Sequence, residues 1–155
     1  MQRTDIFKST TYNRTFKILN NVNCNSSNLI YLITCSLCDI QYVGETGDTL
    51  RNRMNRHRSN IRLNQNTAVA IHFNSEKHSL RHLSVIPIEL IHHDGKIQRL
   101  NREYYWQLRI GTVFPKGLNN YPINNQTLTN SQHLNTTTDF ELLDNLEALL
   151  DENYY

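Results

Sequence analysis

Apolar and polar residues follow two different periods along this chain. From Leu29 to Thr34 every position is apolar, β-branched or aromatic, and a second such run covers Ile40 to Val43, with Cys35-Ser36-Leu37-Cys38-Asp39 between them. Short runs bounded by turn-forming residues predict two strands joined as a hairpin. Gly44 and Gly47 break the second strand, and Asp48 or Thr49 can cap a helix. From about 49 to 63 the period becomes helical: Leu50, Met54 and Ile61 share one stripe, Arg51, Arg58 and Arg62 point away from it, and Arg53 and His57 share a neighbouring face. A shorter helical segment is predicted from Thr67 to Ser75. Leu83 to Ile91 alternates and is β-rich, but Pro87 cannot donate to a ladder, so this is expected to be an edge or bulged strand. Lys96 to Ile110 reads as a long helix burying Ile97, Leu100, Tyr104 and Leu108 and stopped by Gly111. The expected fold class is α/β of the α+β kind: a small antiparallel sheet of about three strands flanked by helices.

The two ends of the chain carry weaker patterns. Residues 1–28 are rich in Ser, Thr and Asn and read as a polar lead-in, with Thr15 to Leu19 alternating like an edge strand. Residues 120–138 hold no Asp, Glu, Lys or Arg and read as a polar linker. Residues 139–155 read as an acidic amphipathic helix, with Phe140, Leu143, Leu146, Leu149 and Leu150 at helical spacing. The globular domain is therefore expected at 29–119. No internal repeat is present.

Composition narrows the classes. A chain of 155 residues makes about one domain. It contains no apolar run near the roughly 18 residues of a membrane span, and its first residues lack the apolar stretch of a signal peptide, so a soluble, intracellular protein with no membrane partner is expected. Two of the three cysteines form Cys35-x-x-Cys38, which suits metal or redox chemistry better than a disulfide framework; Cys24 is left over. The net charge of +2 hides an asymmetry. Residues 1–118 hold all 16 Lys and Arg but only 8 of the 14 Asp and Glu, and residues 139–152 hold the other acids. A basic body of this kind favours a polyanion such as DNA. Arg51, Arg56, Arg58 and Arg62 lie in a span without acids and can track a DNA backbone without reading its bases.

Two constellations carry chemistry. Tyr31, Tyr42, Arg53, His57 and a later acid contain what phosphodiester hydrolysis requires: a route for a proton, a permanent cation for phosphate and a carboxylate that can hold Mg2+. The same residues would also suit a sheet and a solvated helix face. Cys35, Cys38, His72 and His78 offer two thiolates and two imidazoles, a donor set for tetrahedral Zn2+ of a structural kind, with His82, His92 and His93 as competitors.

The combined spacing resembles a known family. Leu29-Ile30-Tyr31, then Tyr42-Val43-Gly44 eleven residues on, then Arg53-x-x-x-His57 and a Glu in a later helix look like the GIY-YIG nuclease superfamily, with Leu29 in place of its usual first glycine. Further strings, Tyr42-Val43-Gly44-Glu45-Thr46-Gly47, Ala68-Val69-Ala70-Ile71-His72-Phe73, Glu103-x-x-Trp106 and Pro115-Lys116-Gly117-Leu118-Asn119, resemble the endonuclease domain of Penelope-like retroelements, as does the cysteine pair between the half-motifs. The resemblance implies a metal-dependent DNA endonuclease that nicks target DNA for reverse transcription, a reverse transcriptase domain upstream in a parent polyprotein, and a nuclear location. It implies a catalytic set of Tyr31, Tyr42, Arg53, His57, Glu103 and Asn119: Tyr42 or Tyr31 activating water, Arg53 on the scissile phosphate, His57 beside it, and Glu103 holding Mg2+ or Mn2+. A non-catalytic nucleic-acid-binding module of the same fold is the rival reading. A zinc-stabilised domain acting through its acidic C-terminal helix is a third.

Overall fold

A computed structural model describes residues 5–92 and 95–121. The segment 122–155, with nearly all of the expected linker and the whole acidic helix, lies outside the described residues, as does His93. The described part contains, in order, strands β1 (Ile6–Ser9), β2 (Arg14–Lys17), β3 (Leu29–Cys35) and β4 (Gln41–Thr46), helices α1 (Leu50–Arg62) and α2 (Ala68–Phe73), strand β5 (Leu83–Leu90) and helix α3 (Lys96–Ile110).

The expected α+β class and three-stranded antiparallel sheet are both present, with β3 in the centre between β4 and β5. β5 is an edge strand, and its register against β3 slips at Ile30/Tyr31, where Glu89 and Pro87 are successive partners. A strand holding proline tolerates both positions, since the missing N–H is not required there. β1 and β2 form a separate antiparallel hairpin, so only the second strand of the polar lead-in was expected.

Side chains on β3 alternate between two buried layers. Leu29, Tyr31, Ile33 and Cys35 pack with Leu50, Met54 and Ile61 of α1 and Val69, Ala70 and Phe73 of α2. The expected α1 stripe is thus its buried face, and His57 joins it. Thr49 caps α1 by accepting from the Asn52 amide, and Thr67 caps α2 in the same way through Ala70. Ile30, Leu32 and Val43 turn to the opposite face, where α3 packs on β4 and β3.

α3 spans the expected residues, but its buried face is different. Tyr105, Trp106, Gln107 and Ile110 are buried, whereas Ile97, Leu100 and Tyr104 are 74%, 42% and 51% exposed and Leu108 is half-buried. The hairpin explains the rotation. Phe7 and Phe16 stack at 5.4 Å and meet the Trp106 ring edge-on at 5.4 and 5.6 Å. Trp106 Nε1 also donates to the buried Glu89 carboxylate at 2.6 Å, and Arg102 Nε donates to the same oxygen at 3.0 Å. An aromatic cluster and a shared acid therefore outweigh the apolar stripe. Gly111 ends α3 in the left-handed region (φ 77°), as glycine does best.

Candidate active site and metal centre

The eleven-residue separation of the two tyrosines is set by the β3–β4 register. Tyr31 faces Gly44 across the pair, and Tyr42 faces Ile33. Both tyrosines therefore project from the same side of the sheet, diagonally placed, toward α1. A side chain at Gly44 would fall on the Tyr31 phenol. Glycine at 44 is thus the condition for the ring to cross β4.

α1 brings Arg53 and His57 to that ring. Arg53 Nε donates to the Tyr31 hydroxyl at 2.9 Å, and the same oxygen lies 2.8 Å from His57 Nε2. Tyr31 is fully buried. Burial, with the charge density of Tyr42, raises its pKa, and Arg53 opposes the shift without cancelling it. A phenol kept protonated needs an acceptor, and His57 Nε2 supplies it. His57 is in turn pushed down to about 4 by burial and by the positive charges of Arg53 and Arg56. Its ring is neutral, with the proton on Nδ1. Tyr31, Arg53 and His57 form a closed set of mutually satisfied groups.

Tyr42 is only partly buried, and its ring lies 6.0 Å from His57. Burial and the Glu103 carboxylate raise its pKa, while Arg53 pulls it down through its charge and a hydrogen bond. Glu103, from α3, accepts a hydrogen bond from the Glu45 backbone and is pushed up to about 7, first by burial and then by the Glu45 carboxylate. The two acids sit close enough to repel, an arrangement that a divalent cation at Glu103 would relieve. The structure therefore brings Tyr31, Tyr42, Arg53, His57 and Glu103 into one electrostatically coupled group.

Asn119 does something else. Its side-chain oxygen accepts from the Val43 amide at 2.9 Å and its nitrogen donates to the Val43 carbonyl at 2.8 Å. Both ends of the buried amide clamp the outer edge of β4. Of the expected DNA-facing arginines, Arg51, Arg56 and Arg62 are exposed. Arg58 is half-buried and donates to Asn55, and Arg56 reaches Asp48 at 3.4 Å.

The Cys/His set assembles at the other end of β3. One ligand atom from each of Cys35, Cys38, His72 and His78 lies within 4.8 Å of every other. Cys38 Sγ and His72 Nε2 are 3.6 Å apart, close to the roughly 3.6 Å separating sulfur and nitrogen on one tetrahedral zinc-sized ion. His78 Nδ1 lies 2.9 Å from the Glu76 carbonyl, to which it donates, leaving Nε2 buried and without a partner. An orphaned imidazole nitrogen among two thiols and a second imidazole is a ligand in waiting. His72 is pushed down to about 4 by burial and by His78, so its ring is neutral and competent to ligate. Among the competitors, His82 accepts from the Ser79 amide and His92 meets Asn20. Cys24 is exposed, and its carbonyl accepts from the Arg51 amide at the start of α1.

The family model of the GIY-YIG catalytic domain matches residues 27–118, more than half of the chain. The chain belongs to the GIY-YIG family. It is therefore a DNA endonuclease, a phosphodiester hydrolase, of a family whose nucleases are divalent-metal dependent. No curated protein and no solved structure matches it. Within this GIY-YIG domain, sequence reasoning left two residues without a role, Glu45 and Arg99. Arg99 Nε meets Glu45 Oε2 at 2.8 Å, one helical turn before Glu103. The i−4 spacing from Glu103 was the available signal.

Proposed function

We propose that this GIY-YIG domain nicks target DNA for a Penelope-like retroelement, with Mg2+ or Mn2+ at Glu103 and a structural Zn2+ on Cys35, Cys38, His72 and His78. The observation that carries the catalytic part is the position of Arg53. Its Nε is committed to Tyr31 and the guanidinium also hydrogen-bonds Tyr42, which leaves the remaining N–H groups of its five donors for a phosphate between the two phenols and α1. The retroelement part rests on the strings quoted above and on the convergence of the four Cys/His ligand atoms. A nuclear location and an upstream reverse transcriptase belong to the same reading.

In this mechanism Arg53 donates to the non-bridging oxygens of the scissile phosphate and offsets the charge that builds up there. Tyr31 and His57 hold Arg53 in place rather than exchange protons with solvent, because Tyr31 is fully buried and its oxygen already has two partners. Tyr42, the less buried phenol, is the base in its phenolate form: its hydroxyl proton first passes to solvent, a loss that the Arg53 charge favours, and the phenolate then takes the proton from the attacking water. Glu103 would hold a divalent cation, which when bound would supply Lewis-acid stabilisation of the phosphate. Neutralising Glu103 also removes the negative neighbour that raises Tyr42. Asn119 holds the strand carrying Tyr42 rather than touching substrate. Arg51, Arg56 and Arg62 contact flanking phosphates.

The test is incubation of the pure protein with supercoiled plasmid, with and without Mg2+. The wild type should yield nicked circles only with the metal. Arg53→Ala and Glu103→Ala should each lower cleavage at least about 1,000-fold while retaining DNA binding in gel-shift assays. Full cleavage by both variants refutes the assignment. A wild type that binds but never cleaves supports the non-catalytic module instead.

A further inference from the structure

The five groups in the candidate site come from four elements: Tyr31 from β3, Tyr42 from β4, Arg53 and His57 from α1, Glu103 from α3. One guanidinium touches the junctions of all of them. Arg99 Nε donates to Glu45 on β4 at 2.8 Å, and its Nη1 donates at 3.0 Å to Asn28 Oδ1, immediately before β3. A side-chain carbon built at Gly47, in the turn leading into α1, would lie only 2.8 Å from Arg99 Nη2, so the guanidinium presses against that turn. Arg99 itself belongs to α3, on the same helical face as Glu103 one turn later. Its side chain is 12% exposed and that of Glu45 22%.

We infer that Arg99 is a positioning residue for the nuclease reaction, fixing Glu103 against the Tyr31–Arg53 pair by tying α3 to Glu45, Asn28 and the Gly47 turn. The inference rests on the reading of Glu103 as the ligand of the divalent ion. Glu45 is held twice, its backbone by Glu103 and its carboxylate by Arg99. Without Arg99 the Glu45 carboxylate loses its partner and is free to turn toward the Glu103 carboxylate. The fork geometry matters, since three separate contacts are made by one planar group, which a lysine cannot reproduce. The string Gly44-Glu45-Thr46-Gly47 then has a physical meaning at three positions. Gly44 admits the Tyr31 ring, Glu45 anchors Arg99, and Gly47 leaves room for the guanidinium.

The experiment compares Arg99→Met with Arg102→Met. Arg102 makes an ion pair of similar burial from the same helix, at 3.0 Å to Glu89 on β5, and serves as the control for loss of stability alone. Each variant is measured for single-turnover nicking, for Mn2+ affinity of the DNA-bound protein from the free-ion paramagnetic resonance signal, for DNA affinity in Ca2+, and for Tm. Arg99→Met should slow nicking about 100-fold, the scale of a 1 Å misplacement, and weaken Mn2+ about tenfold, with DNA affinity within about twofold of wild type. Arg102→Met should lower Tm comparably and leave the other three readings near wild type. Arg99→Lys should not restore the rate, whereas the exchanged pair Arg99→Glu with Glu45→Arg should recover about tenfold of it. Equal slowing by Arg99→Met and Arg102→Met, or wild-type rate and Mn2+ affinity in Arg99→Met, overturns the inference. If Arg99→Met does not fold, Gly47→Ala displaces the guanidinium without removing its charge, and wild-type behaviour there overturns it equally. Glu103→Gln separates the two layers. If it keeps its Mn2+, the metal reading falls and the inference with it; if it loses Mn2+ while Arg99→Met keeps it, only the inference falls.

Discussion

β3 carries two polar clusters four residues apart on one face, and they are built on opposite plans. Around Tyr31 the polar atoms satisfy one another: the phenol accepts from Arg53 and donates to His57. Around Cys35 they do not, because His78 Nε2 is buried with no partner although two thiols and the His72 imidazole offer ligand atoms within 4.8 Å. A closed network holds its shape by itself. An open one is of the kind that an ion could complete.

The largest effect expected from breaking this contrast is at the open cluster. Cys35→Ser should release a zinc present at about one per chain and cost about 4 kcal/mol, a Tm decrease of ~15 °C, measured by atomic absorption and calorimetry. A wild type that is metal-free and equally stable would remove the basis for the contrast. The closed cluster should respond more moderately. Tyr31→Phe leaves Arg53 Nε and His57 Nε2 without their shared oxygen, at a cost of about 3 kcal/mol. Tyr42→Phe, at a less buried position, should cost under about 1 kcal/mol yet slow nicking at least about 100-fold. Denaturant melts and single-turnover rates on both variants test this crossing, and parallel losses in the two would show that the phenols share one role.

A smaller signature lies in pH. The folded pKa of His57 is near 4, below its ordinary 6.5, so the unfolded chain takes up a proton first as pH falls. The contribution of neutral His57 is fully present above pH 6.5 and is lost toward pH 4. Between pH 7.5 and 5 the wild type should therefore lose about 2 kcal/mol more than His57→Gln. Identical pH profiles for the two proteins would contradict the burial of a neutral ring. The smallest effect is expected at His82, whose Nδ1 accepts from the Ser79 amide. His82→Ala should keep its full zinc content and change stability by less than about 1 kcal/mol.

The parts of this molecule that were legible in its sequence are those whose pattern is local. The β3–β4 hairpin, the Leu50-Met54-Ile61 stripe of α1, the edge position of the Pro87 strand and the glycine stop of α3 each depend on residues near one another in the chain. The Cys/His grouping was legible because thiol and imidazole spacing says what can meet. The buried face of α3 was not, because its partners Phe7 and Phe16 lie some ninety residues upstream in strands of four residues each. Ile97, Leu100 and Tyr104 have helical spacing as good as the face that is buried, and only those distant rings choose between them. Arg99 escaped for a related reason, since an arginine on an exposed-looking helix reveals nothing of the carboxylate and glycine it meets.

The clamp on Val43 has one more consequence. β4 borders its sheet, and a bare border of N–H and C=O groups is a template on which another chain can add a strand. Here Leu118 donates to the Gln41 carbonyl, Asn119 takes both groups of Val43, and Glu103 takes the Glu45 amide. The strand that carries Tyr42 is thereby sealed against self-association. Asn119→Ala should consequently be felt first as aggregation during concentration, before any loss of secondary structure.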